Sequence, residues 1–348
     1  MKPIKIDNKN IISSKTKSFI IAEIGSNHNQ NLSLAYKMID KAKNCGADAV
    51  KFQSFKASKH FSKFSPSFKF LKNKPMYKLI ESLELKREWH KKLFDYCKKK
   101  KIIFFSSPCD NEAVDDLEKI GVPLYKIASF DITDLELIKY VAQTKKPIIL
   151  STGLSSFSDI ERAIKTCEKV GNKKIILLEC TSLYPAPENL MNLNAIKVLR
   201  NKFKVITGLS DHSLGDHMIL ASIGVGAKVI EKHFTLNQKM EGPDHKFAME
   251  PKDFKSMINK IRKIESGLGS GNKGMLSSAE KEMALKGRRS IHSFKELKKN
   301  EIIKKNDLIF KRPGLGIQPY KWKKLIGRKV NKKIKKDFWI KWEDIKKY

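Results

Sequence analysis

Two histidines, His212 in GLSDHS and His233 in VIEKHF, each close a short β-branched run. If those runs are adjacent parallel strands, roughly 4.8 Å apart, two imidazoles at matching heights can share one cation that keeps open positions for substrate. Asp244, in EGPDH shortly after the second run, is a further polar contact, while the flanking His245 has no such placement and reads as surface. Lys51 and Gln53 share one face of VKFQS by the two-residue strand period, and Lys126 lies in YKIAS. A lysine inside a fold is costly unless an anion neutralises it. Together with Ser107, Ser129, Ser151, Ser182 and Ser210, the two lysines describe a cradle for phosphate and carboxylate. Glu23 supplies a carboxylate that can handle a proton or a water. The competing reading of the lysines is a buried ion pair with Glu23, Glu179 or Glu231.

These residues sit at the ends of short apolar runs that alternate with stretches of helical period, the pattern of repeated βα units. The expected strands are 19–25, 48–54, 102–108, 125–129, 147–152, 175–182, 205–211 and 229–234. Between the first two, Leu34, Met38, Ala42 and Cys45 recur at helical spacing before Gly46. Eight units in about 250 residues predict a closed (β/α)8 barrel, whose chemistry gathers at the C-terminal strand ends. The expected domains are an N-terminal extension over 1–18, the barrel over 19–264, a linker over 265–286 and a small β-rich unit over 287–348. Phe55 to Pro75, long and aromatic, reads as an extended loop able to cover the site. The Gly- and Ser-rich stretch Glu265 to Ser278 reads as connecting chain.

The chain carries 71 Lys and Arg against 37 Asp and Glu, a formal charge of +34, which alone would suggest nucleic acid. Arginine is scarce, however, and the lysines are spread along every helical segment without interleaved aromatics. The expectation is therefore a solvated basic surface that attracts anionic small molecules, with no nucleic-acid partner. Five scattered cysteines form no C-x-x-C pair and read as free thiols. No run approaches the ~20 apolar residues of a membrane span, so no membrane partner is expected and a cytoplasmic location is.

The ordered segments IIAEIGSNH, DAVKFQS, SSPCD, YKIAS, ILSTG, CTSLYP, GLSDHSLG, VIEKHFTL, GPDH and KRPGLGI resemble the sialic acid (nonulosonic acid) synthases from about Phe19 onward. That resemblance implies a TIM barrel joined to a C-terminal SAF (antifreeze-like) domain, in a homodimer where one subunit's SAF domain covers the other's site. It implies condensation of phosphoenolpyruvate with an open-chain N-acetylated amino sugar and release of phosphate. His212 and His233 match the ligands of a divalent cation, Mn2+ or Mg2+, that polarises the sugar aldehyde. Lys51, Ser107, Lys126, Ser129, Ser151, Ser182 and Ser210 match the phosphoenolpyruvate pocket, and Glu23 matches the carboxylate near the reacting carbons. Gln53, Tyr184 and Asp244 match sugar contacts, and Arg312 matches a SAF-domain arginine that reaches the sugar in trans.

The chain departs from the sialic pattern in places. Phe130-Asp131 replace Gly-Glu after the fourth strand, and Ser182 stands where many sialic acid synthases carry Asn. These features and Arg288-Arg289-Ser290 are more like pseudaminic acid synthases, whereas GPDH leans to the sialic side, so the resemblance tips towards pseudaminate. Two rival readings are another barrel-type phosphoenolpyruvate aldolase acting on a sugar phosphate, and a non-catalytic basic binding protein. The first needs a second basic site, and the second leaves the ordered strand-end residues unexplained.

Overall fold

The computed structural model describes residues 1–66, 75–273 and 277–346. It divides into two compact units, Met1–Gly269 and Ser270–Tyr348.

The first unit opens with a small antiparallel hairpin, β1 (Ile4–Lys5) and β2 (Ile11–Ile12). Eight parallel strands follow: β3 (Phe19–Gly25), β4 (Ala49–Ser54), β5 (Ile103–Pro108), β6 (Tyr125–Ile127), β7 (Ile148–Ser151), β8 (Ile175–Cys180), β9 (Ile206–Asp211) and β10 (Val229–His233). They close into a barrel in sequence order, with β10 pairing back onto β3. Each expected strand is present within one or two residues at its ends. In the fourth, Ser129 leaves the strand and enters a 3-10 turn, Ser129–Asp131.

Strand alternation divides the side chains between two apolar layers. Ile20, Val50, Phe104, Tyr125, Leu150, Leu177 and Ile230 face the surrounding helices, in one core with Met38, Leu93, Val141, Phe254 and Ile261. The residues between them fill the barrel base: Phe19, Ile21, Ala49, Phe105, Leu124, Ile149, Leu178, Ile206 and Val229. Continuing the same inward face by two residues toward the C-terminal ends reaches Glu23, Lys51, Ser107, Lys126, Ser151, Cys180 and Glu231. The apolar layers therefore form the floor on which a polar layer stands.

Residues 1–18 are not a free extension. Ile4, Ile6 and Ile12 are buried in the same cluster as the barrel floor, so the hairpin caps the base while its lysines remain outside. The expected covering loop contains a short helix, Ala57–His60, and residues 67–74 of it lie outside the described residues. The barrel's last helix, Pro251–Gly267, runs into the stretch read as connecting chain. The second half of the expected linker, 265–286, is again helical, Ser278–Gly287, started by a Ser277–Glu280 capping box. The sequence signal missed was this box, hidden among serines and glycines.

In the second unit, β11 (Ser290–Ser293) and β12 (Leu308–Lys311) pair antiparallel. Ile291, Leu297, Ile303, Leu325, Val330 and Ile340 form its own core. Among the described residues no helix is long and apolar enough to cross a membrane.

Candidate active site

Parallel register puts His233 beside Glu23 and Glu23 beside Lys51, so three functional groups stand at one height on β10, β3 and β4. Between Glu23 and Gly25 the register slips, and Gly25 adopts a φ of +53°. A Cβ there would meet Glu23 Oε1 at 3.2 Å, Gln53 Nε2 at 3.3 Å and Asp244 Oδ2 at 3.7 Å, so only glycine suits both the backbone and the packing.

Lys51 Nζ lies 2.9 Å from Glu23 Oε1 and 3.7 Å from Glu231 Oε1, and Lys126 Nζ lies 3.5 Å from that same Glu231 oxygen. Gln53 Nε2 donates to Glu23 Oε1 at 2.8 Å, and Ser210 Oγ donates to Glu231 Oε1 at 3.0 Å. Two lysines thus face two carboxylates in an almost fully buried cluster. Burial opposes the Lys51 ammonium, but Glu23 and Glu231 outweigh it and hold its pKa above the ordinary value. For Lys126 burial wins over Glu231, and its pKa is lowered. The carboxylates differ in the same way. Burial raises Glu23 despite Lys51, whereas Lys126 and Lys51 overcome burial and lower Glu231. Glu23 is thereby the carboxyl suited to carrying a proton.

The serines surround this cluster. Ser107 Oγ donates to the Lys126 carbonyl at 3.1 Å. Ser129 Oγ accepts the Gly153 N–H at 3.1 Å, and Ser182 Oγ lies 3.7 Å from Cys180 Sγ. A Cβ on Gly153 would come within 2.8 Å of Ser129 Oγ and of the Cys180 carbonyl, and would clash with Ser182 Oγ, so this glycine lets the two hydroxyls converge. Ser151 Oγ is buried without a hydrogen-bond partner. An orphaned buried hydroxyl in the same polar layer as buried ammoniums suits a bound oxyanion.

Beyond the cluster, the His212 and His233 rings lie 5.4 Å apart between centroids. Tyr184 packs 4.3 Å from His212, and Phe247 packs 5.0 Å from His233. His212 Nδ1 faces the Thr181 carbonyl at 2.9 Å, and as donor there it leaves Nε2 free. His233 Nδ1 is buried without a hydrogen-bond partner, 3.7 Å from Asp244 Oδ2. Burial and the neighbouring His212 and lysine charges hold His233 well below its ordinary pKa, hence neutral and able to ligate. Burial also lifts the Asp244 carboxyl to about 6, against His212 and Lys51. Two available imidazole nitrogens with a nearby carboxylate fit a divalent cation.

A brace outside the barrel holds the histidine pair. Lys232 and Asp211, the residues preceding His233 and His212, face away from the interior and join at 2.6 Å, with side chains 1% and 0% exposed. Lys232 Nζ also donates to the Ser213 carbonyl. Sequence reading missed this pair, although its alternation with the inward residues was available. It also left Cys180 and Phe247 unassigned, and Glu231 only as a partner for the lysines. His245, expected at the surface, is fully buried. Its Nδ1 meets Thr235 Oγ1 at 2.7 Å and its Nε2 lies 3.3 Å from Asn29 Oδ1, so it ties the loop after β10 to the loop after β3. Phe130 is 53% exposed, whereas Asp131 is buried. Arg312 lies in the second unit, directly after β12, and is exposed.

Comparison with known proteins places the chain in a family. The NeuB family model matches residues 38–273, and the SAF domain model matches 288–346. The chain is 41% identical to the N,N'-diacetyllegionaminic acid synthase of Campylobacter jejuni, covering 92% of this chain and 98% of that one. It is 36% identical to a pseudaminic acid synthase of the same species, over 91% and 94%. Its structure matches the N-acetylneuraminic acid (sialic acid) synthetase of Leptospira borgpetersenii with a TM-score of 0.74 and 34% identity, over 81% and 95% of the two chains. The chain is a member of the NeuB family, with a C-terminal SAF domain.

Proposed function

We propose that this chain condenses phosphoenolpyruvate with an open-chain N-acetylated amino sugar, forming a nonulosonic acid and releasing phosphate. The observation that carries the reading is the pair of buried ammoniums, Lys51 and Lys126, in one polar layer with the unpartnered Ser151 hydroxyl, Lys51 standing level with His233.

In this reading the lysines exchange part of their pairing with Glu23 and Glu231 for the phosphate and carboxylate of phosphoenolpyruvate. Ser107, Ser129, Ser151, Ser182 and Ser210 supply the remaining hydrogen bonds. His212 and His233 hold a divalent cation, Mn2+ or Mg2+, which when bound supplies Lewis-acid polarisation of the sugar aldehyde. Gln53, Tyr184 and Asp244 orient the sugar so that its aldehyde carbon meets C3 of phosphoenolpyruvate. Glu23, its proton affinity raised by burial, handles the proton of the water added at C2. Arg312 reaches the sugar from the partner subunit.

For the acceptor, Asp131, Ser182 and Arg288-Arg289-Ser290 favour the diacetamido-trideoxy-altrose precursor of pseudaminate. The GPDH segment leans to the sialic side, and the higher identity to the Campylobacter jejuni legionaminic acid synthase favours the legionaminic precursor.

Phosphate release from phosphoenolpyruvate tests the proposal, run with both diacetamido sugars, N-acetylmannosamine and arabinose 5-phosphate. Release with an N-acetylated acceptor is expected, and release with arabinose 5-phosphate alone would contradict it. Chelation is expected to abolish turnover and Mn2+ or Mg2+ to restore it, and full turnover in excess chelator would remove the cation from the account. His233→Ala is expected to lose both cation and activity while remaining folded.

A further inference from the structure

Three side chains, one of them the Asp131 weighed above for the acceptor, converge at the ends of three consecutive barrel strands. His60 ends the short helix after β4, Cys109 directly follows β5, and Asp131 lies in the 3-10 turn after β6. His60 Nε2 is 3.8 Å from Asp131 Oδ1, and Cys109 Sγ is 3.9 Å from Asp131 Oδ2. One ligand atom from each side chain lies within 4.8 Å of the others. Asp131 is only 9% exposed, yet neither neighbour gives it a strong hydrogen bond at these distances. A buried carboxylate facing a thiol and an imidazole is an unfavourable arrangement that a shared cation would resolve.

Bond lengths of about 2.3 Å to sulfur and about 2.0–2.2 Å to nitrogen or oxygen put the ligand atoms of a tetrahedral cation about 3.3–3.8 Å apart. The cluster is wider than that by at most about 1.5 Å, a gap that side-chain rotation can close. The mixed sulfur, nitrogen and oxygen donors select for zinc, whereas Mg2+ and Mn2+ favour oxygen.

We propose that His60, Cys109 and Asp131 form a second cation site, specific for zinc-like ions and separate from the His212–His233 pair. The three residues supply three ligands, and a fourth position is left for water or substrate. A bound ion would clip the segment carrying His60 to the ends of β5 and β6. Binding displaces the Cys109 proton, since the thiolate is the ligand.

Cobalt titration of the metal-stripped full-length chain tests this, because cobalt reports sulfur ligation by near-ultraviolet thiolate-to-metal charge transfer. Two equivalents are expected to bind, one of them with that absorption. Cys109→Ser and His60→Gln should each abolish the absorption and leave one equivalent. Cys180→Ser should retain it, a needed comparison because Cys180 Sγ lies 3.8 Å from His212 Nδ1. The His60 side chain is 24% exposed, so His60→Gln carries the test even if Cys109→Ser misfolds. The proposal is overturned by absence of the absorption in the unsubstituted chain, by its survival in Cys109→Ser, or by its loss in Cys180→Ser.

Discussion

The decisive feature at the scale of single residues is that charge is buried on both sides of the barrel wall. Inside, Lys51 and Lys126 share the Glu231 carboxylate and await a ligand. Outside, Lys232 and Asp211 are sealed against each other and await nothing. The outer pair acts through the residues that follow it, holding His212 and His233 at a fixed separation across β9 and β10. Lys232→Met leaves Asp211 buried and unpaired, so we expect a loss of about 3–5 kcal/mol in unfolding free energy. Cation affinity should fall with it, because the histidine pair loses its brace. Calorimetry of the stripped and cation-loaded variant measures both, and unchanged stability would show that the pair contributes nothing. Much of the inner constellation was legible, because Glu23, Lys51, Gln53, Lys126 and Ser151 follow the two-residue period of their strands. His245 was not legible, because its burial depends on a loop–loop contact with Asn29 across 216 residues.

At the scale of elements, the alternation of β-branched runs and helical stretches was enough to predict eight strands and their closure. It failed where the hydrophobic signal is weak or local. The hairpin of β1 and β2 offers only Ile4, Ile6, Ile11 and Ile12 among lysines, and its value lies in capping a floor that sequence alone does not display. The strand β8 shows how alternation constrains charge. Leu178 and Cys180 point inward, so Glu179 turns to the helix side, where burial, with a smaller contribution from Cys180, pushes its carboxyl up to about 7. A free glutamate titrates near 4.5, so the folded state keeps this proton where the unfolded chain has released it. The resulting stabilisation is complete below about pH 4.5 and is lost as the pH rises through about 7. Glu179→Gln should therefore melt higher than the unsubstituted chain above pH 7, with the difference vanishing toward pH 4.5. Parallel melting curves for the two proteins across that range would contradict the assignment.

At the scale of the whole molecule, the barrel and the SAF domain each have their own core, and the proposed chemistry needs both. The account gives Arg312 of one subunit to the site of the other. Arg312→Ala and His233→Ala subunits, each inactive alone, should partly recover activity when mixed. A heterodimer then contains one barrel with intact His233 facing an intact Arg312. No recovery in a mixture shown to exchange subunits would place each SAF domain over its own barrel. The charge of +34 fits this picture as a field that draws two anionic groups of one small substrate towards the barrel mouth.

The most direct test of the central claim is the identity of the product. The chain, with Mn2+, phosphoenolpyruvate and a diacetamido-trideoxy hexose, should yield a compound whose mass equals the acceptor plus one pyruvate, in step with one phosphate released. Phosphate release that leaves free pyruvate and unchanged sugar would show that no carbon–carbon bond forms and would contradict the account.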